Sequence, residues 1–238
     1  MRLDRLLANL GYGSRREVHG LIAAGAVWLD GAILRDPSIH LDAAPDLAAR
    51  MQVNREPLDP PFPLTLVLHK PVGVVCSHRE AGRSVYELLP ERWRRRTPAL
   101  STIGRLDAET SGLLLLTDDG ALLHKIISPR RHVPKRYLAT LARPLTGQEG
   151  ALFAAGTLLL DGETKPVAAA DLATISPTTA RLTITEGRYH QVRRMFAAVG
   201  NHVAALHREA IGGLELPENL APGAWRVASE ADLAAVLG

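Results

Sequence analysis

Between Gly104 and Gly112 the chain reads Gly-Arg-Leu-Asp-Ala-Glu-Thr-Ser-Gly, followed by the apolar run 113–116 and by Asp118-Asp119-Gly120. Asp107 is the residue here whose type could do chemistry, but a single carboxylate in a loop predicts no reaction by itself. By type and spacing alone the simpler reading is an ordinary loop. Asp107 or Thr110 would bond local amides, with Arg105 as a surface partner for the carboxylate. Other chemistries find less support. His124, His132, His190, His202 and His207 form no His-x-x-x-His pair and no histidine-carboxylate cluster, so no metal site is expected. Cys76 is the only cysteine, which excludes an internal disulfide and a thiolate-rich zinc cage. No Gly-x-x-x-x-Gly-Lys phosphate loop occurs, and Asp118 and Asp119 before Gly120 read as turn residues, not as a two-carboxylate hydrolase site. The expected chemistry needs no cofactor.

The charge is unevenly placed. The net charge is only +3, yet 24 arginines stand against 4 lysines and gather in three places. Arg92, Arg94, Arg95 and Arg96 surround Trp93; Arg130, Arg131, Lys135 and Arg136 form a second group; Arg188, Arg193 and Arg194 form a third. Guanidinium forks match phosphate oxygens bidentately, so the clusters suggest a polyanionic partner, with a solvated basic surface as the plain alternative. The longest apolar stretches fall short of the roughly 18 residues of a membrane span. The amino end carries Arg2, Asp4 and Arg5 where a secretory signal needs an apolar run, so a cytoplasmic protein is expected.

These residues need elements to position them. Residues 57–63 hold four prolines and read as a stiff linker between a module at 1–56 and a larger one at 64–238. In the first, Leu3, Leu6, Leu7 and Leu10 have the spacing of a short amphipathic helix that stops at Gly11 and Gly13. Ser14 and Glu17 form a capping-box pattern ahead of a second helix carrying Val18, Leu21 and Ile22. Asp30-Gly31 lies between two short apolar runs, which predicts a hairpin. The larger module mixes strands and helices without regular alternation. That argues for an α+β fold with a mixed, mainly antiparallel sheet. Strands are expected at 64–76, 113–117, 135–141 and 181–185. Tyr137 falls on the side of its strand shared with Ala139 and Leu141, where a plain core tyrosine would also sit. Thr146 and Glu149 suggest a second capping box, and Val192, Met195, Phe196 and Val199 a helix flanked by Gln191, Arg193 and Arg194.

Two resemblances give this layout a function. Helix, helix and hairpin over residues 1–55 resemble the S4 type of RNA-binding domain, which implies RNA contacts for Arg2, Arg5, Ser14, Arg15 and Arg16. Gly-Arg-Leu-Asp-x-x-Thr-x-Gly resembles the signature loop of the pseudouridine synthases. Further segments agree with that family in order: Lys70-Pro71-Val72-Gly73, Lys135-Arg136-Tyr137, the run 186–196 and the run 206–213, together with Ser128-Pro129-Arg130-Arg131-His132. The whole pattern is similar to the RsuA branch of that superfamily.

The resemblance implies isomerisation of uridine in RNA without a cofactor. Asp107 carries over as the nucleophile, toward either the anomeric carbon or uracil carbon 6. Arg193 carries over as its basic partner, and Tyr137 as the ring that stacks on uracil and helps remove the carbon 5 proton. Arg105 would fill the gap left by the extruded uridine, and Arg130, Arg131, Arg188 and Arg194 would contact RNA. The implied partner is 16S rRNA or a small-subunit assembly intermediate, with position 516 in conventional rRNA numbering as the target and a monomer as the working form. Three alternatives stay open at this point: a large-subunit (23S) rRNA enzyme of the same branch, a non-catalytic rRNA-binding assembly factor, and a carboxylate-based nucleoside hydrolase.

Overall fold

Ser14 starts the second helix by accepting the Glu17 amide on its hydroxyl, while the Glu17 carboxylate accepts the Ser14 amide at 2.7 Å. This reciprocal cap satisfies two amides that a helix start leaves unpaired. In the computed structural model, which describes residues 1–42, 46–77 and 81–238, the chain forms two compact units. The first comprises Met1–Thr65, Tyr86–Ser101 and Thr117–Gly120, and the second Leu66–Val85, Thr102–Leu116 and Ala121–Gly238.

In the first unit, α1 (Leu3–Asn9) and α2 (Arg15–Ala23) bury Leu3, Leu6, Leu7, Leu10, Val18 and Ile22. Strands β1 (Val27–Leu29) and β2 (Ala32–Ile33) turn through Asp30 and Gly31, with φ of 49° and 80°. Two consecutive positive φ values are what a two-residue hairpin with the natural strand twist requires. A short helix α3 (Leu47–Arg50) leads into β3 (Met51–Val53) and β4 (Glu56–Pro57), completing an antiparallel sheet in the order β2-β1-β3-β4. Pro57 sits on the edge strand, where its missing N–H interrupts no ladder.

The proline-rich segment differs from the expected spacer. Leu58 is packed in the core of this unit, the Asp59 amide donates to the Tyr12 hydroxyl at 3.0 Å, and the Asp59 carboxylate takes the Arg92 guanidinium. The arginines around Trp93 are likewise not a uniform phosphate-facing patch. Arg96 is 2% exposed and paired with buried Asp118 at 3.1 Å, leaving Arg94 and Arg95 as the exposed members. An arginine neutralised by a carboxylate out of water cannot reach a phosphate.

The second unit is built on a nine-stranded sheet. Its elements in chain order are β5 (Thr65–Lys70), β6 (Val74–Val75), β7 (Arg83–Ser84), β8 (Ser101–Ile103), β9 (Thr110–Thr117), α4 (Gly120–Ile127), β10 (Lys135–Leu141), α5 (Glu149–Ala154), β11 (Asp171–Ser176), β12 (Thr179–Ile184), α6 (Gln191–Ala198), β13 (Val203–Ile211), β14 (Leu214–Glu215), β15 (Trp225–Val227) and α7 (Glu230–Leu237). The strand order is β11-β12-β10-β13-β9-β5-β15, with β14 beside β13, β8 beside β9, and β6-β7 as a separate parallel pair. The β10 pairings with β12 and β13 are antiparallel, whereas β13 runs parallel to β9. Inward residues of the central strands, among them Leu113, Leu115, Val67 and Ile211, make the core with Ile126 of α4 and Val236 of α7.

Two local expectations are corrected. Asp118-Asp119-Gly120 is not a free turn, because Asp118 is buried and Gly120 opens α4. Thr146 and Glu149 form half a capping box: Glu149 accepts the Thr146 and Gly147 amides, but the Thr146 hydroxyl accepts from Gln148 instead of Glu149. No helix among the described residues is long and apolar enough to cross a membrane.

Candidate active site

The loop ahead of β9 owes its shape to a buried cation. Lys70, at the end of β5, is fully buried, and its ammonium donates to the carbonyls of Thr110 at 2.8 Å, Asp107 and Pro71 at 3.0 Å and Ala108 at 3.4 Å. Burial pulls its pKa below the usual lysine value, and the nearby Asp107 opposes that shift. The Asp107 carbonyl also accepts the Thr110 amide, Ala108 accepts the Gly73 amide, and the Leu106 amide donates to Cys76 Sγ. With its backbone committed in this way, the loop leaves the Asp107 carboxylate projecting, 35% exposed.

The Asp107 carboxylate lies in a pocket of about 550 Å³ lined by residues of the second unit, including Arg105, Lys135, Tyr137, Arg188, Tyr189, His190, Arg193, Leu206 and Arg208. This volume suits a small ligand or one nucleotide. One carboxylate oxygen is 3.3 Å from His190 Nε2. His190 precedes α6 in the left-handed conformation, φ 49° and ψ 31°, and its ring lies under that of Tyr189 at 3.8 Å between centroids.

Arg193 lines the same pocket but is engaged elsewhere. Its guanidinium donates to the Val203 carbonyl at 2.9 Å and the Glu109 carbonyl at 3.2 Å, not to the Asp107 carboxylate. The expected ion pair is therefore replaced by a brace on the backbone two residues further along the same loop, and His190 takes the contact with the carboxylate. The reason is geometric: the left-handed turn at His190 carries its ring over the loop, while the first turn of α6 directs Arg193 toward the start of β13.

The pocket floor comes from β10 and β13. Tyr137 is 8% exposed, with its hydroxyl accepting from Arg208 Nη1 at 3.4 Å. Arg208 is 3% exposed, donates from Nε to the Leu113 carbonyl at 2.7 Å, and keeps Nη2 without a hydrogen-bond partner. Gly112 makes this approach feasible. At φ 113°, a Cβ on it would fall 2.3 Å from the Arg208 carbonyl, so only glycine lets β9 lie this close to β13. Lys135 is half-buried beside Arg208, and burial and that neighbouring charge both lower its pKa.

The structure thus brings Asp107, Tyr137 and Arg193 to one pocket, with Arg105 exposed at its edge and Arg188 on its wall. Arg188 and Arg194 are tied to Glu163 and to the carbonyls of Lys165, Pro166 and Asp161, so both pin the loop 161–166. Arg130 and Arg131 are exposed in the short 3-10 turn Pro129–Arg131. In the first unit Ser14, Arg5, Arg15 and Arg16 are exposed, while Arg2 forks onto Asp4 at 2.9 Å and 3.1 Å. Lys70, His190 and Arg208 carry contacts that residue spacing does not announce. Only Lys70 has a signal in the sequence, a charged side chain that closes the apolar run Leu64-Thr65-Leu66-Val67-Leu68. Among the described residues no group of three or more His, Cys, Asp or Glu side chains is placed to hold a metal ion.

A mainly antiparallel sheet that presents a loop aspartate above a tyrosine and buried cations defines a class. Residues 64–198 match the RNA pseudouridylate synthase family and residues 1–44 match the S4 domain. The chain belongs to the RNA pseudouridylate synthase family, and it is an isomerase that makes pseudouridine in RNA. It is 43% identical to the ribosomal small subunit pseudouridine synthase A of Escherichia coli (strain K12), over all of both chains. It is 41% identical to the RNA pseudouridine synthase YtzG of Bacillus subtilis (strain 168), over 98% of this chain and 97% of that one. A solved pseudouridylate synthase structure superposes with a TM-score of 0.69 at 35% identity, covering 99% of each chain.

Proposed function

We propose that this protein isomerises a single uridine of 16S rRNA, position 516 in conventional numbering, with Asp107 as nucleophile and no cofactor. The observation that carries this reading is the Asp107 carboxylate, projecting from a backbone-saturated loop into a nucleotide-sized pocket beside Tyr137. The full-length likeness to small-subunit enzymes supports the choice of rRNA. The reaction breaks the bond from uracil N1 to the anomeric carbon and joins that carbon to C5. The proton on C5 leaves and one is gained at N1, so no atom is added or lost. Attack by Asp107 at the anomeric carbon or at uracil C6 begins from the same carboxylate.

In either route the detached or loosened uracil carries negative charge. Lys135, Arg208 and the Arg193 guanidinium line the pocket where that charge develops, and a preorganised cation stabilises it without reorientation. Tyr137, held by Arg208, presents a ring face that grips a base without reading its edges. Exposed Arg5, Arg15, Arg16, Arg130 and Arg131 serve as phosphate contacts, and Arg105 fills the stack vacated by the flipped uridine. The protein acts on rRNA in the cytoplasm as a monomer.

The test is to map pseudouridine in both rRNAs of cells lacking the gene and complemented with wild type or Asp107→Asn. One small-subunit site should vanish and return only with wild type. Purified Asp107→Asn should bind 16S rRNA within about tenfold of wild type while forming no product. A missing large-subunit site, or product from the variant near the wild-type rate, would overturn the reading.

A further inference from the structure

Tyr189 is 76% exposed, an unusual position for a tyrosine whose neighbours are so firmly fixed. Its carbonyl accepts from Arg194 at 3.2 Å. The preceding Arg188 amide donates to the buried Gln191 side chain at 2.8 Å, and Gln191 in turn donates to Glu186 at 2.8 Å. His190 lies beneath the Tyr189 ring with the two planes inclined by only 17°. The ring is therefore held out from a rigid turn, one face covered by an imidazole and the other open, on the wall of the pocket that contains Asp107. A left-handed histidine is an uncommon backbone choice, and strain of this kind persists where the surroundings enforce it.

A large aromatic face kept in water by a fixed backbone costs apolar exposure that packing would otherwise remove. It fits a partner with a flat π-surface. We propose that the open face of Tyr189, backed by His190, is a stacking platform for the nucleobase adjacent in sequence to the target uridine. This rests on the function proposed above, since the target base occupies the pocket and its neighbours must pass the wall. Base stacking on an aromatic side chain tolerates any base, so the platform aligns the RNA strand and does not select a sequence. Through the His190 contact it also sets the strand at a fixed distance from the Asp107 carboxylate.

The test is a cycle between protein and RNA. The enzyme, Tyr189→Ala and Tyr189→Trp are assayed on 16S rRNA that is intact or carries an abasic nucleotide directly 5′ or directly 3′ of the modified uridine. Tyr189→Ala should lose roughly five- to hundred-fold in kcat/KM on intact RNA, chiefly through KM, and Tyr189→Trp should restore it. At one of the two abasic positions wild type should fall to the level of Tyr189→Ala, and the variant should lose nothing further. An equal loss for Tyr189→Ala on all three RNAs would overturn the platform, as would activity within twofold of wild type on intact RNA. Failure of wild type to modify 16S rRNA at all would overturn the substrate reading itself, a result distinct from either of these.

Discussion

Arg96 in the first unit and Lys70 in the second are both shut away from water, yet they are held by different partners. Arg96 meets a carboxylate, that of Asp118, in a pair with almost no exposure on either side, and donates besides to one carbonyl, that of Pro60, at 3.0 Å. Lys70 meets four backbone carbonyls. A similar division separates some of their neighbours, although Arg188 on the pocket wall also pairs with the Glu163 carboxylate. Arg92 takes Asp59 and Arg2 takes Asp4, whereas Arg193 and Arg208 around the pocket donate to the carbonyls of Glu109, Val203 and Leu113. A carboxylate cancels its partner's field, while carbonyl dipoles solvate a cation and leave its charge in place. In the first unit the buried Arg96 and the partly exposed Arg92 join distant segments of the chain through carboxylates. Around the pocket the cations hold the backbone and still supply positive potential where the proposed reaction develops an anion.

The sharpest way to break this contrast is Arg96→Met. It strands the Asp118 carboxylate, whose pKa burial already raises, and should cost about 3–5 kcal/mol in urea unfolding, with kcat of the folded protein unchanged. Adding Asp118→Asn should recover part of that loss; a single-variant cost below about 1 kcal/mol would show that the pair is not an essential join. Lys70→Met strands only neutral acceptors, so its cost should be smaller, about 1–3 kcal/mol. Turnover should nonetheless fall about a hundredfold because the Asp107 loop loses its anchor. Normal turnover in that variant would erase the distinction between the two cations.

A smaller effect separates surface arginines from buried ones. Replacing both Arg15 and Arg16 by alanine should lower the slope of log affinity for rRNA against log salt by about 1–2, with kcat intact. An unchanged slope would place these residues away from phosphate.

The smallest effect concerns Asp4. The hydrogen bond from Arg2, reinforced by His19, holds its pKa down to about 2. A folded value below the unfolded carboxylate value of about 4 means that this stabilisation is complete above pH 4 and lost as pH falls through 2. Unfolding curves of wild type and Asp4→Asn should therefore converge between pH 4 and pH 2. A constant gap across that window would remove Asp4 from the acid response.

What could be read in the sequence was what short range decides. The Ser14–Glu17 cap, the Asp30-Gly31 hairpin and the strand 135–141 each follow from a few neighbouring residues. The signature loop placed Asp107, and the recognised segments brought Tyr137 and Arg193 to the same pocket. Other features depend on partners far along the chain. β13 carries His207, Arg208 and Glu209 in its middle, which hides its strand character, because Arg208 is buried by its contacts to Leu113 and Tyr137. Nothing near His190 in sequence specifies Asp107 as its contact, and nothing near Asp59 specifies Arg92. The prolines of 57–63 marked an irregular path, but whether that path is free or packed was decided by Leu58 and Asp59.

The parallel contact of β9 with β13 has a consequence for synthesis. The hydrogen bond from Arg208 to Leu113 closes a separation of 95 residues, and the Tyr137–Arg208 contact closes 71. All parts of the first unit have been made once residue 120 is complete, but the pocket floor is absent until residue 208 has been added. Closure of such distant segments is the slow part of forming a sheet. A ribosome-bound chain stopped near residue 150 holds every segment of the first unit, its S4 domain included, while having no catalytic pocket. The segments of the first unit are therefore all present before the catalytic pocket can close.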